Sequence, residues 1–131
     1  MKRQLSYFVF SSFLLTGCWD VNSAVQQPIL TNEDENVVVL FSDDHSLQEE
    51  SSFYDALLEV QQSHPQYAIP LRIIGEQERS IIRHYNINQY PTLLIINTEG
   101  INLRIEGSHP KEEIVTLLKQ ALHIVKEGSL Y

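Results

Sequence analysis

Apolar positions follow two different periods along the chain. Val37-Val38-Val39-Leu40-Phe41 is a continuous run of β-branched and aromatic residues. It predicts a strand buried on both faces, as parallel sheets require. The polar stretch Ser42-Asp43-Asp44-His45-Ser46 breaks that run, and Ser46 with Glu49 has the spacing of a capping box. Phe53, Ala56, Leu57 and Val60 then recur at helical spacing. Pro65 disfavours helical geometry at His64, which ends this helix near Ser63. Ala68 to Ile74 reads as a second strand closed by Gly75, and Glu76 to Tyr85 as a short helix carrying Ile81, Ile82 and Tyr85. Asn86 suits a left-handed cap for it. Thr92 to Ile96 is a third apolar strand. The turn Asn97-Thr98-Glu99-Gly100 leads into a fourth strand, Ile101 to Glu106. Pro110 stands at the expected first helical position, and Ile114, Leu117, Leu118, Ala121, Leu122 and Val125 form an apolar stripe that Gly128 ends. The predicted order is βαβαββα, an α/β domain without internal repeats.

Composition narrows the chemistry. The chain has 131 residues, 17 acidic against 9 Lys plus Arg, and a formal charge of −8. One domain of ordinary hydrophobicity accounts for this length. The acidic balance argues against a nucleic-acid partner, since phosphate binding needs a basic face. Cys18 is the single cysteine, so neither an intramolecular disulfide nor a Cys-rich zinc site is available.

Lys2 and Arg3 precede an apolar stretch from Leu5 to Leu15 that is too short to span a bilayer as a stable helix. This is the pattern of a secretory signal. It ends in Leu15-Thr16-Gly17-Cys18, which resembles the bacterial lipobox. The resemblance implies cleavage before Cys18 and a diacylglycerol on its thiol. The expected organisation is a signal peptide over 1–17, a lipidated cysteine and tether over 18–36, and a domain over 37–131. The membrane is then a partner through the lipid, and the location is extracytoplasmic. The tether carries the acidic run Glu33-Asp34-Glu35. Val25 and Ile29-Leu30 are its candidates for packing on the domain edge.

The element order, with Tyr85-Asn86-Ile87-Asn88-Gln89-Tyr90-Pro91-Thr92 followed by Leu93 to Ile96, resembles the thioredoxin family. Its pattern is Tyr-Gly-Ile/Val-x-x-x-Pro-Thr before an apolar strand. Asn86 stands in place of the family glycine, while Gly100 and Gly107 match glycines of the hairpin and the last strand. The resemblance covers about 36–126 and lacks the family's first strand and helix. It implies a thioredoxin-like α/β fold, with a four-stranded mixed sheet flanked by helices and a cis bond before Pro91. Where that family carries Cys-x-x-Cys, this chain has Ser46-Leu47-Gln48-Glu49. Ser46 takes the nucleophile's place and Glu49 that of the resolving thiol. Thiol–disulfide exchange needs a thiolate, so a redox-inactive domain is expected, with no cofactor.

Asp43, Asp44, His45, Glu49 and Glu50 crowd the same loop. They are hard donors for a divalent metal, but without diagnostic spacing they read first as a solvated helix start favoured by the helix dipole. Ser46 beside His45 lacks the Gly-rich elbow of a hydrolase nucleophile. His64, His84, His109 and His123 have no metal-ligand spacing. The stronger candidate is a partner-binding face of Tyr90, Pro91 and Thr92 with Asp43, Asp44 and His45. In thioredoxin relatives the backbone before the cis-proline pairs with an extended peptide. The first reading of function is therefore a lipid-anchored envelope protein that binds a protein or peptide. The alternatives are a cell-wall-associated structural lipoprotein, and an enzyme using a metal or a partner's thiol.

Overall fold

The computed structural model describes residues 29, 36–67 and 69–124. The leader, Cys18 and the tether apart from Ile29 and residue 36 lie outside them, as do Val25, Leu30, Val125 and Gly128.

Four strands form one sheet: β1 (Val37–Ser42), β2 (Leu71–Gly75), β3 (Thr92–Asn97) and β4 (Gly100–Glu106). Their order is β2-β1-β3-β4. β1 pairs with β2 in parallel and with β3 antiparallel, and β3 pairs with β4 antiparallel. The described residues also include three α-helices: α1 (Leu47–Ser63), α2 (Arg79–His84) and α3 (Lys111–Ala121). The mixed α/β architecture and its element order agree with the sequence pattern.

Alternation along the central strands sends side chains to two cores. Val38 and Leu40 of β1, with Leu93 and Ile95 of β3, pack against Phe53, Ala56 and Val60 of α1 and Ile114 and Leu118 of α3. Val37, Val39 and Phe41, with Leu94 and Ile96, face the other way onto Tyr85, Ile87 and Ile29, with Ile81 and Ile82 of α2 alongside. β1 and β3 are thus buried on both faces, which is why they read as unbroken apolar runs. Ile29 is buried, and its carbonyl accepts a hydrogen bond from Arg72 Nη1 at 2.9 Å. One residue of the tether therefore belongs to the domain.

Several boundaries differ from the sequence pattern, each for a local reason. β2 begins at Leu71, not at residue 68. Pro65–Tyr67 form a 3₁₀ turn, and Pro70 has no N–H, although its carbonyl still accepts from Val38 N at 2.9 Å. α2 starts at Arg79, because a turn from Gly75 to Glu78 takes up Glu76 and Gln77. β4 begins at Gly100, one residue early. Asn97 Oδ1 accepts from the amides of Glu99 and Gly100, closing the hairpin as an Asx turn. Pro110 is the N-cap of α3, in an extended conformation, rather than its first helical residue.

α3 stops at Ala121, well before the expected Gly128. His123 takes a left-handed φ of 54°. His123 N then bonds Gln120 O at 3.2 Å, and Ile124 N bonds Lys119 O at 2.9 Å. That is a Schellman ending, with Ile124 folded back into the core. The end of α2 repeats it as the sequence predicts. Asn86 has φ 53°, Asn86 N bonds Arg83 O, and Ile87 N bonds Ile82 O at 3.0 Å. This ending delivers the chain into the loop that builds the candidate site.

Candidate functional site

Three segments meet at one end of the sheet. The first is the loop from β1 into α1, Asp43 to Ser46. The second is Asn88 to Pro91, entering β3. The third is Gly107-Ser108, leaving β4. Asp43, His45, Ser46, Glu49, Asn88, Gln89, Tyr90, Gly107 and Ser108 line an open groove of about 400 Å³. That size suits part of a peptide or a small ligand.

The Asn88–Pro91 loop is held rigidly from below. The Tyr90–Pro91 bond is cis. Thr92 is fully buried, and its hydroxyl donates to Gln89 O at 2.8 Å. Gly107 N donates to Pro91 O at 2.8 Å. Gly107 has φ +76°, and a Cβ there would lie 2.9 Å from Gln89 Oε1, so a side chain at this position would be strained and would crowd the groove. Arg104 ties β4 to the same region. Its Nη2 donates to Tyr85 O at 2.6 Å, and its Nη1 pairs with Glu106 at 3.1 Å.

Tyr90 is half-buried in the groove wall. Burial raises its hydroxyl above the usual tyrosine pKa, and the negative charges of Asp43 and then Glu76 raise it further. Beyond the ring lies a second hollow of about 330 Å³, lined by Glu76, Arg79, Ile82, Arg83 and Tyr90. Tyr90 is therefore a partition between an acid-walled space and one that carries two arginines.

The start of α1 corrects the capping-box expectation. Ser46 is the N-cap, but its side chain makes no cap hydrogen bond. Its φ of −105° and ψ of 8° are not the extended geometry that aims a hydroxyl at the helix amides. The Ser46 hydroxyl instead donates to Glu50 Oε1 at 2.9 Å, with a longer 3.3 Å approach to Asp43 O. Glu50 is 1% exposed, and its Oε2 has no hydrogen-bond partner. Asp43 Oδ1 is likewise buried and unpartnered. Tyr54, one turn further on, has its hydroxyl pKa raised by burial, then by the Glu50 charge and a hydrogen bond to Glu50.

The structure thus brings Tyr90, Asp43, His45, Ser46 and Glu49 to one groove. Asp44 is exposed and outside its lining. Pro91 and Thr92 are buried behind the groove, where the Thr92 hydroxyl supports the loop through Gln89 O. Among the described residues, no group of three or more His, Cys, Asp or Glu side chains is placed to hold a metal ion. The pattern-based reading missed the roles of Glu50, Asn88, Gln89 and Ser108. For Glu50 the signal was present. It stands three residues before Phe53 and ten before Val60, on the apolar stripe of α1.

No protein-family model matches the chain. Solved structures that superpose on it include thioredoxin f2 of Chlamydomonas reinhardtii, with a TM-score of 0.54 and 16% identity over 69% of this chain and 82% of that one. The J-Trx1 fragment of ERdj5 superposes with a TM-score of 0.56 and 20% identity over 70% of this chain and 45% of that one. The fold is thioredoxin-like. In sequence, the chain is similar to the Pal-related lipoprotein of Bacillus subtilis (strain 168), 23% identical over 116 residues, which are 88% of this chain and 90% of that protein. The thioredoxin-like frame puts Ser46 and Glu49 at the start of α1, across the groove from Tyr90. Among the described residues, no helix is long and apolar enough to cross a membrane.

Proposed function

We propose that this protein is a lipid-anchored envelope lipoprotein whose thioredoxin-like groove binds an extended segment of a partner protein without thiol chemistry. The observation that carries the reading is the retained groove itself. The cis-proline loop is fixed by Thr92 and Gly107, and an aromatic anchor, Tyr90, stands beside acidic Asp43 and Glu49. An apolar anchor with a charged rim is the usual anatomy of a binding surface. Ser46 and Glu49 supply no thiolate, so the groove retains binding surface without its own redox centre. The lipid anchor rests on Cys18 and its lipobox, with support from the similarity to a lipoprotein of nearly the same length.

A wall-associated structural role is the second reading, favoured by the same relative's description as Pal-related. A formal charge of −8 gives no direct attraction to anionic wall polymers.

Two experiments test the proposal. A photo-crosslinking amino acid at Asn88, which is exposed in the groove lining, should capture one partner in cells, and the adduct should disappear with Tyr90→Ala. An adduct unchanged by Tyr90→Ala contradicts the groove. In the second, the full chain should reduce insulin no faster than buffer. Turnover above buffer in a preparation free of thioredoxin contradicts the redox-inactive reading.

A further inference from the structure

Away from the groove, the flank of the domain at β2 leaves large apolar side chains exposed. β2 is an edge strand, and among the described residues its ladder partner is β1. Leu71 lines a hollow of about 60 Å³ with Leu57, Gln61, Tyr67 and Ile69, and no charged residue lines it. Ile73, two residues on and so on the same face of β2, is 52% exposed. On α1, Tyr54, Leu58 and Gln61 recur at positions i, i+4 and i+7, which puts them on one side of the helix. The opposite side is closed by α3, through the Lys111–Glu59 pair. Tyr54, Leu58, Tyr67, Leu71 and Ile73 thus make an uncharged apolar surface on a chain of formal charge −8.

This flank asks for more than apolar contact. The outer side of an edge strand presents N–H and C=O groups that lack ladder partners, and charged side chains commonly protect such an edge. β4, at the other edge, carries Arg104 and Glu106. β2 carries Arg72, whose side chain points to the opposite face, where Nη1 donates to Ile29 O at 2.9 Å. No carboxylate pairs with Arg72 among the described residues. Lipid chains would cover Leu71 and Ile73 but leave the backbone groups unsatisfied. The occupant that fits is an extended strand, apolar on one face and acidic on the other.

The chain carries such a segment just upstream of Ile29. Trp19-Asp20-Val21-Asn22 alternates apolar and polar, and Val25 falls on the same strand face as Trp19 and Val21. Ile29 is buried beside Arg72, so residues 19–28 depart from the β2 edge itself. Fully extended they reach roughly 33 Å, about twice what a strand the length of β2 spans. We propose that residues 19–25 add to β2 as a further strand. Trp19, Val21 and Val25 then cover the Leu71 and Ile73 side, Asp20 falls on the Arg72 side, and Gln26-Gln27-Pro28 make the connection. Fixing the chain at Ile29 makes this pairing intramolecular, which raises the effective concentration of the strand. The docking is independent of the groove reading. Its consequence for the membrane rests on the lipid anchor: a lipidated Cys18 sits at the end of a sheet strand, and the domain is held to the bilayer by its β2 edge on a short leash.

Trp19 is the single tryptophan of the chain, so its fluorescence reads the docking directly. The full chain, purified from membranes and placed in phosphatidylcholine vesicles, should show blue-shifted Trp19 emission that brominated acyl chains do not quench. Ile73→Lys, checked for native circular dichroism, should shift that emission to the red and open Trp19 to acrylamide. In hydrogen exchange, the β2 amides that face away from β1 should be protected in the wild type and exchange about tenfold faster in Val21→Pro, which removes a ladder donor. Asp20→Arg, which sets a like charge against Arg72, should give the same release. Emission quenched by brominated lipid and unmoved by Ile73→Lys overturns the proposal and assigns Trp19 to the bilayer. Equal β2 exchange rates in the wild type and Val21→Pro also overturn it, and a dependence of those rates on protein concentration then assigns the edge to a second copy. Trp19 shielded by Ile73 in a protein that carries no lipid supports the strand and overturns the lipid-anchor reading alone.

Discussion

The Ser46 hydroxyl donates to Glu50 Oε1 at 2.9 Å, four residues along the same helix face and beneath the groove wall. Removing one partner of such a pair is worse than removing both. Ser46→Ala leaves the buried Glu50 carboxyl with less compensation and should cost about 1–3 kcal/mol. The double variant Ser46→Ala/Glu50→Met replaces the pair with apolar volume and should recover most of that loss or exceed wild type. Urea midpoints at constant m-value decide between them. A double variant less stable than Ser46→Ala shows that Glu50 contributes more to the fold than it costs.

Tyr90 gives a pH signature. Its folded-state pKa is raised above the ordinary 10.0, by burial first and then by Asp43 and Glu76. The protonated phenol is thus the form the fold favours. Its stabilising contribution is complete below the unfolded value near 10 and is lost as pH rises through the higher folded value. Ultraviolet titration, with Tyr90→Phe to assign the transition, should place Tyr90 above free tyrosine. Asp43→Asn should bring it partway back. A Tyr90 transition unmoved by Asp43→Asn shows that the two groups do not share the groove wall.

The lipid anchor has its own test. Cys18→Ser should release the protein from membranes, because Cys18 is the single cysteine in the chain and hence its one thiol for acylation. Fractionation with a clickable fatty-acid label reads both outcomes. Retention of Cys18→Ser on membranes together with no label in the wild type contradicts the lipoprotein assignment.

The long apolar runs made the fold legible. Val37–Phe41 and Leu93–Ile96 became the two central strands because unbroken apolar sequence has few alternatives to burial on both faces. The edge strand β2 was harder to bound. Leu71, Arg72 and Ile73 are all exposed, so no burial pattern marks where pairing begins. The helix endings depended on single residues in left-handed geometry. Asn86 is a residue type that advertises it, whereas His123 does so weakly.

At the site, Tyr90, Asp43, His45, Ser46 and Glu49 were found through a motif and its neighbouring loop. In the sequence Glu50 reads as one acid among several in that loop. Its importance depends on which way a helix presents it, and that was decided by the unusual geometry of Ser46. Ser108 and Gln89 reach the groove only through tertiary folding, about 60 and 40 residues from α1's start. Short-range sequence patterns are blind to that separation.

The central claim is that the groove beside Tyr90 binds a partner segment. Titration of the crosslinked partner's segment against the full chain at two salt concentrations tests it most directly. Tyr90→Ala should weaken binding by a hot-spot amount, about 2 kcal/mol or roughly 30-fold. Asp43→Asn should weaken it less at high salt than at low salt. Equal affinities for wild type, Tyr90→Ala and Asp43→Asn at both salt concentrations contradict the claim, and leave the cis-proline loop as part of the scaffold alone.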